Sequence, residues 1–136
     1  MKVSTKSRYA IKLLLDISEN ERRGNVSLRD VSERTGIPLK YLEQIAGMLC
    51  RSGFIRSYRG SQGGYALLKK SGFIKMGEVV RAMEGNISAG YINDGEAIDK
   101  FWRGLYDRLN DYMDSVTLHD IEEEEKQLNQ IYDYYI

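Results

Sequence analysis

The stretch SLRDVSERTGIPLKYLEQIAGML, residues 27–49, contains two short helical patterns separated by a glycine. Ser27 followed three residues later by Asp30 resembles a capping box, which predicts that a helix begins there. Gly36 suits the left-handed position at a helix end, and Pro38 suits the first turn of the next helix. Apolar residues of that next helix recur at i, i+3, i+4 and i+7, and they are Leu42, Ile45, Ala46 and Leu49. This arrangement predicts a helix-turn-helix, although αα-hairpins without a DNA role share it.

The polar side of the second helix favours contact with DNA. With its apolar positions pointing inward, Lys40, Tyr41 and Gln44 lie outward near the N-terminal end. Side chains of these types contact phosphates and base edges, and the N-terminal end of a recognition helix enters the major groove.

The next segment, RSYRGSQGGYAL, has β-favouring residues on both sides of a glycine-rich turn. Its glycines permit positive φ and close approach to another backbone, and they are Gly60, Gly63 and Gly64. A phosphate-binding loop is excluded because it needs a strand-to-helix setting and a Gly-Lys-Ser/Thr ending. The segment therefore predicts a hairpin wing, with Arg59 free to enter a minor groove or bind phosphate. A solvated turn remains the alternative for Arg56 and Arg59.

The flanking patterns complete a mainly α fold with a small β-hairpin wing. Helices are predicted from Ser4 to about Asn20 and in KMGEVVRAMEG, where Val79, Val80 and Met83 face inward. A loop follows, and then a row of apolar residues separated by 4, 3, 4, 3 and 4 positions: Ile98, Trp102, Leu105, Leu109, Tyr112 and Val116. This row suits a helix that pairs across a dimer, or one that packs on its own domain. We predict a winged helix-turn-helix domain over 1–85, a loop over 86–97, and a dimerisation helix with a tail over 98–136.

Composition narrows the class of protein. The chain of 136 residues has one cysteine, which excludes an internal disulfide and suits a reducing, cytoplasmic setting. Its net charge is zero, yet residues 1–70 carry 14 Lys and Arg against 6 Asp and Glu, whereas residues 71–136 carry 6 against 14. A basic first half favours a polyanionic partner. We expect no membrane span, and the absence of a nucleophile–base pair, metal cluster or nucleotide loop indicates that the chain is not an enzyme.

The tail, TLHDIEEEEKQLNQIYDYYI, combines an acidic run with a terminal aromatic cluster. Residues Glu122 to Glu125 are predicted to be a solvated helix start. The aromatic cluster either docks on the domain or awaits a partner, and it comprises Tyr132, Tyr134, Tyr135 and Ile136. A dimeric adaptor that binds a partner through this tail is therefore the alternative to a DNA-binding protein.

Several stretches together resemble the Rrf2-type transcriptional regulators: MKVSTKSRYAIKLLLDI, YLEQI, the wing, MEGNIS and FWRGLYDRLNDYMDSVTLHDI. The resemblance spans nearly the whole chain. It implies a cytosolic homodimer with winged helix-turn-helix domains and a long crossed helix, which binds a palindromic operator and usually represses. By matching position, Tyr41, Glu43 and Gln44 would face the bases and Arg59 the minor groove. The candidate DNA-contacting residues are Ser27, Lys40, Tyr41, Glu43, Gln44, Arg51, Arg59, Ser61 and Gln62.

The loop before the long helix departs from the cluster-sensing members of that family, which carry three cysteines there. Residues 86–97 contain no cysteine, and Cys50 alone cannot hold an iron–sulfur cluster. His119 is also isolated and more typical of a structural or exposed histidine. We therefore expect no metal site and no cofactor. Oxidation at Cys50, or a small ligand at the loop, remains an alternative route of sensing.

Among members without the cluster, the likeness is to a repressor of cysteine metabolism. This resemblance implies control of sulfur-amino-acid genes, with the enzyme cysteine synthase as corepressor. It also suggests that Tyr134, Tyr135 and Ile136 bind that enzyme. A C-terminal isoleucine from serine acetyltransferase enters cysteine synthase, and this chain ends in YYI.

Overall fold

The computed structural model describes residues 4–135, which form six α-helices and a two-stranded hairpin. The helices are α1 (Thr5–Asn20), α2 (Leu28–Thr35), α3 (Leu39–Arg51), α4 (Met76–Glu84), α5 (Glu96–Ser115) and α6 (Leu118–Tyr135). The strands are β1 (Ile55–Tyr58) and β2 (Gly64–Leu67). Short 3₁₀ turns occupy Glu21–Arg23 and Ser71–Phe73. The predicted class, mainly α with a small hairpin wing, is confirmed.

The helix-turn-helix forms for the reasons that its sequence predicts. The Ser27 hydroxyl oxygen accepts from the Asp30 amide at 3.2 Å and caps α2. Gly36 ends α2 at φ +76°, and its amide donates to the Ser32 carbonyl at 2.9 Å. Ser4 precedes α1 as predicted but does not cap it, because its hydroxyl donates to Glu84 of α4 instead.

The hydrophobic core lies between α1, α3 and α4. The inward faces of these helices are buried, and they include Leu13, Leu14 and Ile17 of α1 together with the predicted Leu42, Ile45, Ala46, Leu49, Val79 and Met83. Val80 is only half-buried, so its predicted inward position is correct only in part. Asp16 of α1 accepts two hydrogen bonds from the Arg34 guanidinium, at 2.9 and 2.8 Å, and thereby joins α1 to α2.

The wing, residues 55–67, is an antiparallel hairpin in which Ile55 pairs with Leu67 and Tyr58 with Gly64. Residues 59–63 form its tip, where the Gly63 amide donates to the Gly60 carbonyl at 2.9 Å. A Cβ on Gly63 would lie 2.5 Å from the Tyr58 carbonyl oxygen, which explains a glycine at this position.

The junction between α5 and α6 is part of the body of the protein rather than of the long helix. Val116 follows the end of α5 in an extended conformation, and its carbonyl accepts from the Met76 amide at 2.8 Å. It packs partly against the core. The prediction that the helical apolar row reaches Val116 is therefore wrong, because backbone pairing with the segment before α4 ends the helix at Ser115.

Helix α6 begins against the body and ends in solvent. Leu118 is fully buried, and Glu122 is buried beside Ser18, whose hydroxyl donates to its carboxylate. The prediction of a fully solvated acidic run is wrong at Glu122 for this reason. Leu128, Ile131, Tyr132, Tyr134 and Tyr135 are exposed, so these tyrosines do not dock on their own domain. Ile136 lies outside the described residues.

Candidate nucleic-acid interface

The exposed side of α3 presents the predicted reading residues together. Lys40, Tyr41, Glu43 and Gln44 are all exposed within the first two turns, opposite the four buried apolar residues of the same helix. A bidentate amide, a carboxylate, a cation and a phenol on one helix face can pair with base edges and phosphates. This arrangement has the chemistry that a major-groove helix requires.

The ring of Tyr41 packs against the ring of Tyr9 on α1. Its side chain is 53% exposed, and its ring centroid lies 6.4 Å from that of Tyr9 on α1, in a tilted arrangement. The helical period of α1 assigns Tyr9 to the apolar face, and Tyr9 is half-buried against the core. That period did not predict the contact, because a contact between two helices depends on their crossing and not on the pattern of either one.

The wing tip supplies a second group of candidate residues. Arg59, Ser61 and Gln62 are exposed there. Arg56 lies within β1, and its guanidinium stacks over the Tyr58 ring at 5.4 Å from the centroid. Arg59 is therefore the arginine that the tip presents, whereas Arg56 covers the outer side of the hairpin.

Two predicted residues do not share the surface at the start of α3. Ser27 is half-buried at the N-cap of α2, where its oxygen accepts the Asp30 amide. Its hydroxyl proton remains a donor at a helix start, a position that suits a phosphate. Arg51 is exposed at the far end of α3, about 16 Å along the helix axis from Lys40 at 1.5 Å per residue.

Cys50 lies on the half-buried side of α3 and packs partly against the core. Burial raises the pKa of its thiol, and the nearby charge of Arg51 offsets this increase only in part. A raised pKa lowers the thiolate fraction, and the thiolate is the form that reacts with oxidants. The site therefore favours a structural role for this cysteine.

The loop between α4 and α5 does not fit an iron–sulfur cluster. It holds no cysteine, and residues 4–135 contain no group of three or more His, Cys, Asp or Glu side chains arranged to hold a metal ion. The loop instead lies against α5, where the Asn110 side chain donates to the Ile87 carbonyl at 2.7 Å. His119 is exposed, and its nearest carboxylate is that of Glu123 at 4.0 Å.

Helix α5 carries an exposed apolar row along its outer side, which differs from the predicted one. The row consists of Ile98 (50% exposed), Phe101 (61%), Leu105 (46%) and Tyr112 (69%). Trp102 and Leu109 are half-buried, and Trp102 lines the side of the helix that faces the loop. Beside the row is a shallow groove of about 500 Å³ bounded by Phe101, Gly104 and Leu105.

Comparison with known proteins shows which protein family shares this sequence and fold. A family model described as Rrf2, iron-dependent transcriptional regulator, matches residues 3–124. The chain is 38% identical over 129 residues to the HTH-type transcriptional regulator IscR of Enterobacter sp. (strain 638), with 89% of this chain and 79% of that protein covered.

Solved structures agree in fold. CymR (YrzC) of B. subtilis, described as the global cysteine regulator, matches with a TM-score of 0.83 and 30% identity over 91% of this chain and 98% of that one. IscR of T. potens matches with a TM-score of 0.81 and 32% identity, over 94% and 90%. With the exposed α3 face and its adjoining wing, these matches show that the chain belongs to the Rrf2 family of winged helix-turn-helix, DNA-binding transcriptional regulators.

Proposed function

We propose that the chain is a sequence-specific repressor that binds palindromic operators as a homodimer. The observation that carries this proposal is the α3 surface of Lys40, Tyr41, Glu43 and Gln44 together with Arg59 on the wing tip. The α3 side chains read bases in the major groove, and Arg59 contacts the adjacent minor groove.

Salt dependence of DNA binding tests this proposal. An operator that the protein enriches from a random duplex pool is titrated by fluorescence anisotropy at about 50 and 200 mM salt. A protein that neutralises several phosphates loses orders of magnitude in affinity between these conditions. An adaptor that uses its tail would bind such DNA weakly, and salt would change the affinity for its protein partner little.

The exposed row on α5 supports the homodimer. Phe101 and Leu105 lie on either side of Gly104, where a Cβ would meet only the flexible end of Arg108. A glycine between large apolar residues lets a second helix approach closely, so two α5 helices cross at this point. A two-fold dimer of this kind presents two recognition helices to the two halves of a palindrome.

We also propose that the protein works without an iron–sulfur cluster, although its family is described as iron-dependent. A cluster needs several thiolate ligands, and the chain has one cysteine, which lies on α3. Anaerobic reconstitution with iron and sulfide tests this: we expect no protein-bound iron and unchanged DNA affinity. Bound iron in a stable ratio to the dimer would contradict the proposal.

A role in cysteine metabolism, with cysteine synthase as corepressor, is the regulatory part of the proposal. Its support is the similarity to CymR, described as the global cysteine regulator of B. subtilis, and the exposure of Tyr134 and Tyr135 at the end of α6.

Tail deletion tests the corepressor. Removal of Tyr135 and Ile136 is expected to weaken binding to purified cysteine synthase by at least about tenfold in calorimetry, while DNA binding in the absence of the enzyme stays unchanged. Leu128→Ala, in the exposed part of α6 but two turns before the terminus, serves as the control. Equal enzyme affinity in the deleted and intact proteins would eliminate the tail as the binding element.

A further inference from the structure

The segment between α1 and α2, residues 21–26, lies along the outer edge of the wing. Val26 and Tyr65 exchange both backbone hydrogen bonds, at 2.9 and 2.7 Å. On one side of this pair, the Glu21 carboxylate accepts from the Leu67 amide at 3.0 Å. On the other side, the Asn25 side chain donates to the Gln62 carbonyl at 3.1 Å. The hairpin is therefore held at its base, along β2 and at its tip.

The approach of this segment to the wing is close enough to require a glycine. Gly64 has φ +141°, and a Cβ there would lie 2.7 Å from the Val26 carbonyl oxygen. An isolated two-stranded hairpin is only marginally stable in water, so the wing depends on neighbouring elements for its orientation. Segment 21–26 provides such contacts from outside the hairpin.

The contact at the tip is the one closest to the DNA-facing arginine. Asn25 holds the backbone of Gln62, three residues after Arg59 in the same tight turn. Both Asn25 and Gln62 are exposed, so their hydrogen bond adds little to folding stability. Its consequence is the position of the turn rather than the stability of the fold.

We propose that Glu21 and Asn25 are positioning residues, which set the wing against α3 and thereby place Arg59 in the minor groove. This inference rests on the proposed role of Arg59 in DNA binding. It assigns a function to a connecting segment whose Glu21 and Asn25 side chains hydrogen-bond to the backbone of the wing. Loss of either contact lets the tip move, and Arg59 then contacts the groove for a smaller fraction of the time.

A double-mutant cycle between Asn25 and Arg59 tests the inference. Asn25→Ala is expected to weaken binding to the enriched operator by about threefold, the effect of one exposed hydrogen bond. In an Arg59→Ala background the same change is expected to have no further effect, because the side chain that it positions is gone. Asn129→Ala, an exposed asparagine on α6, is the matched control. An Asn25→Ala protein with unchanged affinity, or with the same threefold loss in both backgrounds, would overturn the inference.

Glu21 allows a second test that is matched in charge. Glu21→Ala and Glu21→Gln both remove one negative charge, but only the glutamine carbonyl can still accept from the Leu67 amide. We expect Glu21→Gln to bind the operator about threefold more tightly than Glu21→Ala, with thermal unfolding showing that both are folded. Equal affinities of the two variants would contradict a positioning role for this residue.

The single Arg59→Ala variant distinguishes a failure of the positioning role from a failure of the proposed DNA interface. If it weakens operator binding while Asn25→Ala does not, the DNA interface stands and the positioning role is wrong. If Arg59→Ala leaves affinity unchanged, the Arg59 side chain has no part in binding, and both its minor-groove assignment and the positioning role are wrong.

Discussion

Helices α3 and α5 carry similar apolar spacings but use them differently. Helix α3 buries Leu42, Ile45, Ala46 and Leu49 inside its own chain, whereas none of the twenty residues of α5, all of them described, is buried. The apolar row of α5 formed by Ile98, Phe101, Leu105 and Tyr112 remains on the outside. A helix gains most of its stability from packing such a face. The comparison teaches that one spacing can indicate either a core or a surface for a partner, and that only the position of the helix distinguishes them.

The largest expected difference between these helices is in folding stability. Leu49→Ala removes a fully buried side chain and is expected to lower the free energy of unfolding by about 3 kcal/mol. Leu105→Ala, on the exposed row, is expected to cost less than about 1 kcal/mol at low protein concentration, where subunits are apart. Urea denaturation of both variants at dilute and high concentrations measures this. Equal losses for the two variants in dilute solution would show that α5 packs within its own chain.

The next largest effect is expected in subunit association. Leu105→Lys places a charge on the proposed crossing of two α5 helices and should raise the dimer dissociation constant by at least about tenfold. Sedimentation velocity measures this constant. Leu128→Lys, an equally exposed leucine on α6, is the control that should keep the wild-type value. If both variants dissociate alike, or neither does, the exposed row on α5 is not the interface.

The smallest effect is expected in the pH dependence of stability, and it arises where the first part of α6 packs against α1. Partial burial against α6, a hydrogen bond with Glu125 and the charges of Glu125, Glu122 and Asp16 raise the pKa of Glu19 from 4.5 to about 7. Because the folded state then holds a proton on Glu19 that the unfolded state releases, the contribution of Glu19 to stability falls as the pH rises from about 4.5 to about 7 and is level above this range.

Glu125→Gln removes the main source of this repulsion between α1 and α6. It is expected to raise the free energy of unfolding at pH 8 by less than about 1 kcal/mol, since Glu19 is largely exposed, and to flatten the pH dependence. Denaturation at pH 5 and pH 8 measures both. Glu124→Gln, an exposed neighbour, is the control, and an equal change in that variant would assign the effect to net charge alone.

The helix-turn-helix and wing could be predicted from sequence because their signals are local. Ser27, Gly36 and the row from Leu42 to Leu49 each specify a cap, a turn or a face within a few residues. Phe101 could not be distinguished from Trp102, because the side of α5 that the loop covers depends on tertiary packing.

The acidic run from Glu122 to Glu125 also contains a contact that its local sequence pattern could not predict. Glu122 differs from its three neighbours only in facing Ser18, which lies 104 residues away along the chain. The role of segment 21–26 is also long-range, since Asn25 and Gln62 come from separate elements whose own patterns are those of ordinary turns.

The most direct test of the central claim is the affinity of Gln44→Ala for the enriched operator and for an unrelated duplex, measured by anisotropy at two salt concentrations. The α3 surface predicts that this variant loses about 1–3 kcal/mol of operator affinity, keeps its affinity for the unrelated duplex, and retains the wild-type salt dependence. Unchanged affinity for the operator, or an equal loss on both duplexes, would show that this face of α3 does not read the sequence.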